Sequence, residues 1–293
     1  MRRLVLFTLI GFFAQLVDGS LGMAYGATSA SLLLFIGVAP AVASASIHMA
    51  EIATTAASGA SHIWFKNVER RVVIWLIIPG SVSAFVGAAF LSQLPGDAVK
   101  PFISIFLLIL GVVILVRFLR VERVQSNGEM PRLSGKLLIP LGVTGGFFDA
   151  VGGGGWGPIT TPVLLSRKGA SPRKVIGTVD TSEFAIAVSA TLGFVIFLGW
   201  EQFQWTWVLA FMIGGVLAAP LAAYLVKVIP SYLLGVLVGG FIIVTNAGTL
   251  FRSIDVLPSV WAHIANLLLV ILWVGSVVYQ VRMHRRNNAA TQV

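Results

Sequence analysis

Residues Gly145 to Pro158 read GGFFDAVGGGGWGP, and this stretch decides the fold because it places four consecutive glycines inside an otherwise apolar segment. Glycine runs form helix poorly, whereas Pro158 suits the first turn of a new helix. The sequence therefore predicts a broken helix whose second piece begins near Trp156. A second interruption, DGSLGMAYG from Asp18, breaks the first apolar segment of the chain in a similar way. Two such breaks suggest two related halves.

The composition around these breaks is that of a membrane protein. Of the 293 residues, 57% are apolar and 11% are charged, and the mean hydropathy is +0.93. Runs of about 20 apolar residues, the length that crosses a bilayer core, recur without the alternation that is typical of strands. The clearest runs are Val72–Leu94, Thr206–Val226 and Tyr232–Phe251. The sequence predicts an all-α, multi-pass integral protein of the cytoplasmic membrane.

The net charge of +9 does not indicate nucleic-acid binding, because the basic residues are grouped in short loops. Cytoplasmic loops of membrane proteins concentrate Lys and Arg in this way. The three internal groups share one side of the membrane if both broken segments are re-entrant hairpins. If both segments span instead, the third group and the C-terminus move outside. The groups are Lys66, Arg70 and Arg71; Arg117, Arg120, Arg123, Arg132 and Lys136; Arg167, Lys168, Arg173 and Lys174; and Arg282, Arg285 and Arg286.

The first 17 residues, MRRLVLFTLIGFFAQLV, have the charged start and apolar stretch of a secretory signal. No small-x-small cleavage site follows directly, so we retain residues 1–37 in the bundle. The two apolar pieces of this first segment are Leu4–Val17 and Ala27–Ile36.

An internal repeat supports the two related halves. GVAPAVASASIHMAEIATT from Gly37 aligns without gaps with GASPRKVIGTVDTSEFAIA from Gly169. We predict a first membrane repeat (1–120), a polar linker (121–135), a second membrane repeat (136–253), an extra C-terminal transmembrane helix (258–281) and a basic tail (282–293). Each repeat opens with its broken segment, and the repeats are expected to be inverted, as in many transporters.

Paired interruptions in duplicated halves predict a substrate site near the midplane of the bilayer. Free N–H groups and the positive end of a half-helix dipole would favour an anion there. The alternative is that the glycines only allow close helix packing, and that the two aromatic residues at the breaks only pack. The residues that we assign to substrate binding are Gly22, Tyr25, Gly153, Gly154, Gly155, Trp156, Gly157, Ser46 and Thr178.

Five of the eleven acids fall within the apolar segments, where an ionisable group suggests a function. The alignment pairs His48 with Asp180 and Glu51 with Glu183, and each pair of neighbours shares a helix face. A protonated Glu could donate a hydrogen bond to an anion and release it on losing the proton. The alternative is that the acids only fix helix packing. We assign proton coupling or gating to His48, Glu51, Asp180, Glu183, Asp18 and Asp149.

These segments resemble the sulfite exporter (TauE/SafE-like) permeases. The resemblance lies in LGMAYGATSASLLL and SASIHMAEIATTAASGASHIWFKNV of the first half and GGFFDAVGGGGWGPITTPVLL of the second, and it covers residues 11–250. It implies a secondary transporter for sulfite, organosulfonates or similar small anions that works without ATP. Consistently, the sequence has no Gly-x-x-x-x-Gly-Lys-Ser/Thr phosphate loop.

Two other classes of function stay open. A divalent-metal permease could use His48 with the five acids, because imidazole and carboxylate suit transition metals. An intramembrane enzyme could use Asp180 and Glu183 as acid and base, although a duplicated chain suits alternating access better. We expect no cofactor, no resident metal and no nucleic acid. The expected partners are a small anionic solute and membrane lipid, and a homo-oligomer stays open.

Overall fold

The computed structural model describes residues 2–120, 130–131, 133–167, 169–225, 231–254 and 259–290, and every regular element within these ranges is a helix, as predicted. Seven of the helices are long and apolar enough to cross a membrane: α1, α4, α5, α8, α9, α10 and α11. In chain order the elements are α1 (Arg2–Leu21), α2 (Tyr25–Phe35), α3 (Pro40–Trp64), α4 (Arg70–Ser92), α5 (Gly96–Arg120), α6 (Gly135–Gly152), α7 (Trp156–Leu165), α8 (Pro172–Phe197), a 3₁₀ turn (Trp200–Gln202), α9 (Trp205–Leu225), α10 (Ser231–Ile254) and α11 (Ser259–Ala290).

The first break is shorter than the sequence predicts. Helix α1 continues through Asp18 and ends at Leu21, so the interruption is confined to residues 22–24. Gly22 and Ala24 have φ angles of 66° and 101°, which no right-handed helix contains. The 11 residues of α2 then extend about 16 Å at 1.5 Å per residue, roughly half of a bilayer core.

The second break has the same form. Helix α6 ends at Gly152, and Gly153 (φ 72°) donates its backbone N–H to the Asp149 carbonyl oxygen, a common glycine end to a helix. Helix α7 begins at Trp156, as predicted. Pro158 therefore lies in the first turn of α7, and the interruption is confined to residues 153–155.

The long helices pack across the chain rather than within one half. Helix α1 lies against α9, where a Cβ added to Gly11 would be 2.8 Å from the Phe211 Cα. Helix α6 lies against α4, where a Cβ added to Gly146 would be 2.6 Å from the Ser83 Oγ. Helices α3 and α8 pack against each other in the centre of the bundle. Small residues allow these backbones to approach closely, which is how apolar helices gain packing energy in lipid.

One end of the bundle, here called the basic end, joins the loop at 65–69 to the start of α8. The Arg173 guanidinium donates to the Phe65 carbonyl oxygen at 2.6 Å, and Lys174 donates to the Val68 carbonyl oxygen at 3.3 Å. Helix α6 also begins here, because Gly135 lies against the ring of Trp75 in the first turns of α4. The α6–α7 unit thus starts and finishes at the basic end.

The opposite end gathers the other connections. The Gln204 backbone N–H, just before α9, donates to the Ser46 hydroxyl near the start of α3 at 3.1 Å. The rings of Phe7 in α1 and Trp207 in α9 are 5.7 Å apart. The α1–α2 unit therefore starts and finishes at this end.

The C-terminal region differs from the predicted helix of 258–281 and basic tail of 282–293. Helix α11 begins at Ser259 and continues to Ala290, so most of that tail is helical, and residues 291–293 lie outside the described ranges. Within its span of 260–283 only 6% is buried, and α11 packs on α10, where the Trp273 indole N–H donates to the Val236 carbonyl oxygen. Most of the predicted linker (121–135), with Arg123 and Arg132, also lies outside the described residues, as do Lys168 and Lys227.

Candidate functional site

The two breaks meet each other in the interior of the bundle. A Cβ added to Gly26 would be 2.6 Å from the Gly153 carbonyl oxygen, and one added to Gly157 would be 2.5 Å from the Met23 Cα. A Cβ at Gly154 would overlap the backbone nitrogen of Ala27. The glycines therefore serve the close approach of two backbones, which is the packing alternative of the sequence analysis. This approach brings the N-terminal ends of α2 and α7 together.

The first amides of α7 are not free, contrary to the expectation of unpaired N–H groups at the break. The Asp149 Oδ1 accepts hydrogen bonds from the backbone N–H groups of Gly155 (2.8 Å) and Trp156 (2.9 Å). The Asp18 Oδ1 accepts from the Tyr25 N–H at 3.3 Å in the same way at the start of α2. Each aspartate, at the end of one helix, thus caps the half-length helix that follows it, because a carboxylate is favoured at a helix N-terminus.

Three buried ionisable groups surround the start of α7. The His48 Nε2 lies 3.1 Å from the Asp149 Oδ2 and 3.9 Å from the Glu51 Oε2. Both oxygens of Glu51 lack a hydrogen-bond partner, although the side chain is only 1% exposed. We call His48, Glu51 and Asp149 the first triad.

The hydrogen bonds of His48 place a proton between it and Asp149. The Nδ1 lies 2.8 Å from the Ser44 carbonyl oxygen, which can only accept, so Nδ1 carries a hydrogen. The hydrogen bond between Nε2 and Asp149 then needs a second proton, carried by one partner or the other. Asp149 therefore holds the start of α7 with one carboxylate oxygen and contacts the His48 imidazole with the other.

A second set, Asp18, Asp180 and Glu183, surrounds the start of α2 and is here called the second triad. Asp180 accepts from the Ser58 hydroxyl, and its Oδ2 lies 3.3 Å from the His62 Nε2. The Asp18 Oδ2, the Asp180 Oδ1 and the Glu183 Oε2 have no hydrogen-bond partner and are buried. In the sequence alignment, His48 and Glu51 of the first triad correspond to Asp180 and Glu183 of the second.

His62 is a site residue that the sequence analysis did not identify. Arg173 donates to the Asn67 side-chain oxygen, so the Asn67 nitrogen faces the His62 Nδ1 at 3.1 Å and donates to it. Because Nδ1 accepts this hydrogen bond, the imidazole hydrogen lies on Nε2, which faces Asp180. The signal lay in the sequence, because His62 follows Ser58 by four residues and therefore lies one turn further along the same face of α3.

The aromatic residues at the two breaks hold neighbouring helices. Trp156 is fully buried, and its indole N–H lies 3.2 Å from both the Val179 carbonyl oxygen and the Ser182 Oγ of α8. The Tyr25 hydroxyl donates to the Phe211 carbonyl oxygen of α9 at 3.3 Å. These bonds fix the two half-length helices against the long ones.

Ser46 and Thr178 lie apart from the triads. The Ser46 hydroxyl accepts the Gln204 N–H at the opposite end, and the Thr178 hydroxyl accepts the Glu69 N–H at 2.9 Å at the basic end. Each hydroxyl therefore anchors the residue that precedes a long helix. Gly22 lies at the break itself, where its carbonyl oxygen accepts from the Thr161 hydroxyl at 2.5 Å.

Both triads offer the kinds of ligand atom that bind a metal cation. One ligand atom from each member lies within 4.8 Å of the other two, in both triads. Imidazole with carboxylates suits a transition metal, and three carboxylates suit a harder cation. All six side chains are buried, so the site is closed to solvent in this conformation.

Comparison with known proteins agrees with this architecture. The family model for the sulfite exporter TauE/SafE matches residues 7–249. A probable membrane transporter protein, YtnM, of Bacillus subtilis (strain 168) is 56% identical over 298 residues, which cover 100% of this chain and 98% of that protein. No solved structure matches the chain. The chain thus belongs to the sulfite exporter TauE/SafE family of membrane transporters.

Proposed function

We propose that the protein is a secondary transporter that exports a small sulfur-containing anion, such as sulfite or an organosulfonate, and couples this movement to protons. The observation that carries the proposal is the meeting of two half-length helix N-termini between two triads of buried ionisable groups. Positive dipole ends favour an anion, and the triads offer groups that can exchange a proton.

The aspartate caps give this proposal a mechanism. Asp149 occupies the amides of Gly155 and Trp156 with one carboxylate oxygen and contacts His48 with the other. A transported anion carries the same charge as Asp149, so it can replace that carboxylate at the amides when Asp149 takes up a proton. Release of the proton restores the cap and expels the anion. Asp18 at the Tyr25 amide would act in the same way in the first half.

We further propose that residues 1–120 and 136–253 are inverted repeats and that both broken units are re-entrant. The α1–α2 unit starts and finishes at one end of the bundle and the α6–α7 unit at the other, as inversion requires. Inverted repeats place their shared site near the midplane of the bilayer, where either side can reach it in turn.

The test is efflux from proteoliposomes that contain the purified protein and are loaded with sulfite, methanesulfonate or acetate. We expect sulfite or methanesulfonate to leave faster than acetate, and an imposed proton gradient to drive net movement. Efflux no faster than from protein-free liposomes for both sulfur anions would refute the proposal.

A divalent-metal permease is the second candidate, favoured by the two triads whose ligand atoms converge within 4.8 Å. The same liposomes separate the two functions. Efflux of the sulfur anions that persists after chelation of all divalent ions supports the anion transporter, whereas uptake of a divalent metal without anion movement supports the permease.

A further inference from the structure

A cavity of about 500 Å³ opens between the end of α2, the start of α5 and the end of α10, away from both triads. Two basic residues, Lys100 and Arg252, line it together with Asp97, and Thr249 and Ser253 of α10 add hydroxyl groups. The cavity lies at the opposite end of the bundle, because α2 runs directly into α3, which begins there. It therefore faces away from the basic end, where Arg173 and Lys174 contact the loop at 65–69.

Arg252 is held in place at the rim of this cavity. Its guanidinium donates to the Phe35 carbonyl oxygen at 2.9 Å and lies 4.2 Å from the centre of the Phe35 ring. Phe35 is the last residue of α2, so Arg252 also stabilises the negative end of that helix. The N-terminal end of the same helix lies at the break.

A series of buried polar side chains leads from the cavity toward the break. Thr249 lines the cavity, and its hydroxyl donates to the Thr245 carbonyl oxygen one turn earlier in α10. The neighbouring Asn246 donates to the Ser31 hydroxyl of α2 at 2.6 Å, and Ser31 donates to the Ala27 carbonyl oxygen at 2.5 Å. Ala27 is the residue that Gly154 touches at the break. The Asn246 side-chain oxygen is buried and lacks a hydrogen-bond partner.

We propose that this cavity is an anion-binding vestibule on the non-cytoplasmic side, and that the polar series between α2 and α10 is the exit route from the break. The ligand class is a small sulfonate or sulfite-like anion, which Lys100 and Arg252 recognise by charge and by charge-assisted hydrogen bonds. This inference rests on the proposed function, since it assigns the outer half of the path to the same anion.

Thiol labelling tests the vestibule directly, because the chain contains no cysteine. Ser253→Cys places a single thiol in the cavity, and Gln202→Cys places a matched, exposed thiol at the same end outside it. Each is treated from the non-cytoplasmic side with two methanethiosulfonates, one bearing a sulfonate and the other a trimethylammonium group. The ratio of the two rates at Ser253→Cys is divided by the ratio at Gln202→Cys, which removes the reagents' intrinsic difference.

We expect this normalised ratio to favour the sulfonate reagent by about tenfold, since Lys100 and Arg252 outweigh the charge of Asp97 and a cleft with an excess of positive charge concentrates anions. Methanesulfonate should slow the reaction at Ser253→Cys and leave that at Gln202→Cys unchanged. Arg252→Gln combined with Lys100→Gln should bring the ratio close to one, whereas Arg252→Lys should keep it.

A normalised ratio near one in the otherwise unchanged chain, or a ratio that survives both neutralising substitutions, overturns the vestibule. The labelling needs no transport, so its outcome is separate from that of the efflux assay. Failure of the unchanged protein to move any sulfur anion refutes the proposed function, whereas loss of the charge preference alone refutes the vestibule. Modification of Ser253→Cys should also slow efflux, and unchanged efflux after complete modification would place the exit route elsewhere.

Discussion

Glu51 and Glu183 are buried carboxyl groups that differ in their neighbours. The Glu51 Oε2 lies 3.9 Å from His48, whereas Glu183 belongs to a triad whose other two members are both aspartates. An imidazole nitrogen can take the proton of a carboxyl group beside it, whereas among three carboxyl groups a bound proton must stay on a carboxyl group. Within the proposed function, Glu183 is therefore the better candidate of the two glutamates for the group that passes the coupling proton to its aspartate cap, Asp18.

We predict that Glu183→Gln abolishes anion movement driven by a proton gradient but keeps anion exchange. Glutamine preserves the size and the hydrogen-bonding capacity of the side chain and cannot ionise. The variant should bind sulfite with a weaker dependence on pH than the unchanged protein. Gradient-driven efflux, anion exchange and binding across a pH series measure the three properties. Glu51→Gln should have a smaller effect on coupling.

Glu201→Gln is the matched control, because Glu201 is exposed at the opposite end and far from both triads. It should behave as the unchanged protein. If Glu51→Gln and Glu183→Gln both keep the normal rate and pH profile of driven transport, neither residue takes part in coupling. General loss of folded protein with the pH profile retained would assign them to packing.

The half-length helices α2 and α7 depend on each other as elements. Each is about 15 Å long at 1.5 Å per residue, too short to cross a bilayer, and each is fixed by its aspartate cap and one aromatic hydrogen bond. Their N-termini touch through Gly26, Gly153 and Gly154. A change at this contact should therefore disturb both breaks together.

We predict that Gly154→Ala lowers the thermal unfolding midpoint of the detergent-purified protein by several degrees and abolishes sulfite binding. The added methyl group would overlap the Ala27 backbone, and overpacking of this kind costs about 1–3 kcal/mol or more. Gly275→Ala in α11 is the control, because a Cβ there meets no atom within 4 Å. Equal midpoints for the two variants would show that the breaks are not in close contact.

At the scale of the whole molecule, the contacts between loops determine which segments share a side of the membrane. Arg173 and Lys174 donate to the carbonyl oxygens of the loop at 65–69, so the basic groups at 66–71 and 167–174 lie at the same end. Positively charged loops stay in the cytoplasm, so the basic end should be cytoplasmic.

We predict that single cysteines at Arg71→Cys and Arg167→Cys label only from the cytoplasm and that Glu201→Cys labels only from outside. All three positions are exposed, and the natural chain has no cysteine to interfere. Labelling of intact cells with a membrane-impermeant maleimide, compared with inside-out vesicles, measures the side. Modification of Arg167→Cys from outside would mean that the α6–α7 unit spans the membrane and is not re-entrant.

The sequence alone determined the properties that depend on local patterns. Composition and run length predicted an all-helical membrane protein, and the glycine run followed by Pro158 predicted the start of α7 at Trp156. The acids of both triads were also identified, because charged residues stand out in apolar segments. The aspartate caps were within reach of sequence reasoning, since Asp149 precedes the amides that it caps by only six and seven residues.

Only the tertiary structure decided how these pieces meet. Helix α1 packs on α9, the two breaks touch, His62 faces Asp180, and Lys100 and Arg252 line one cavity. The paired residues in these contacts are separated by more than 100 positions in the chain. Helical periodicity shows which face of a helix is polar, but it does not show which other helix packs against that face. That choice depends on the packing of backbones across the two halves, where small residues decide how closely each pair of helices can approach.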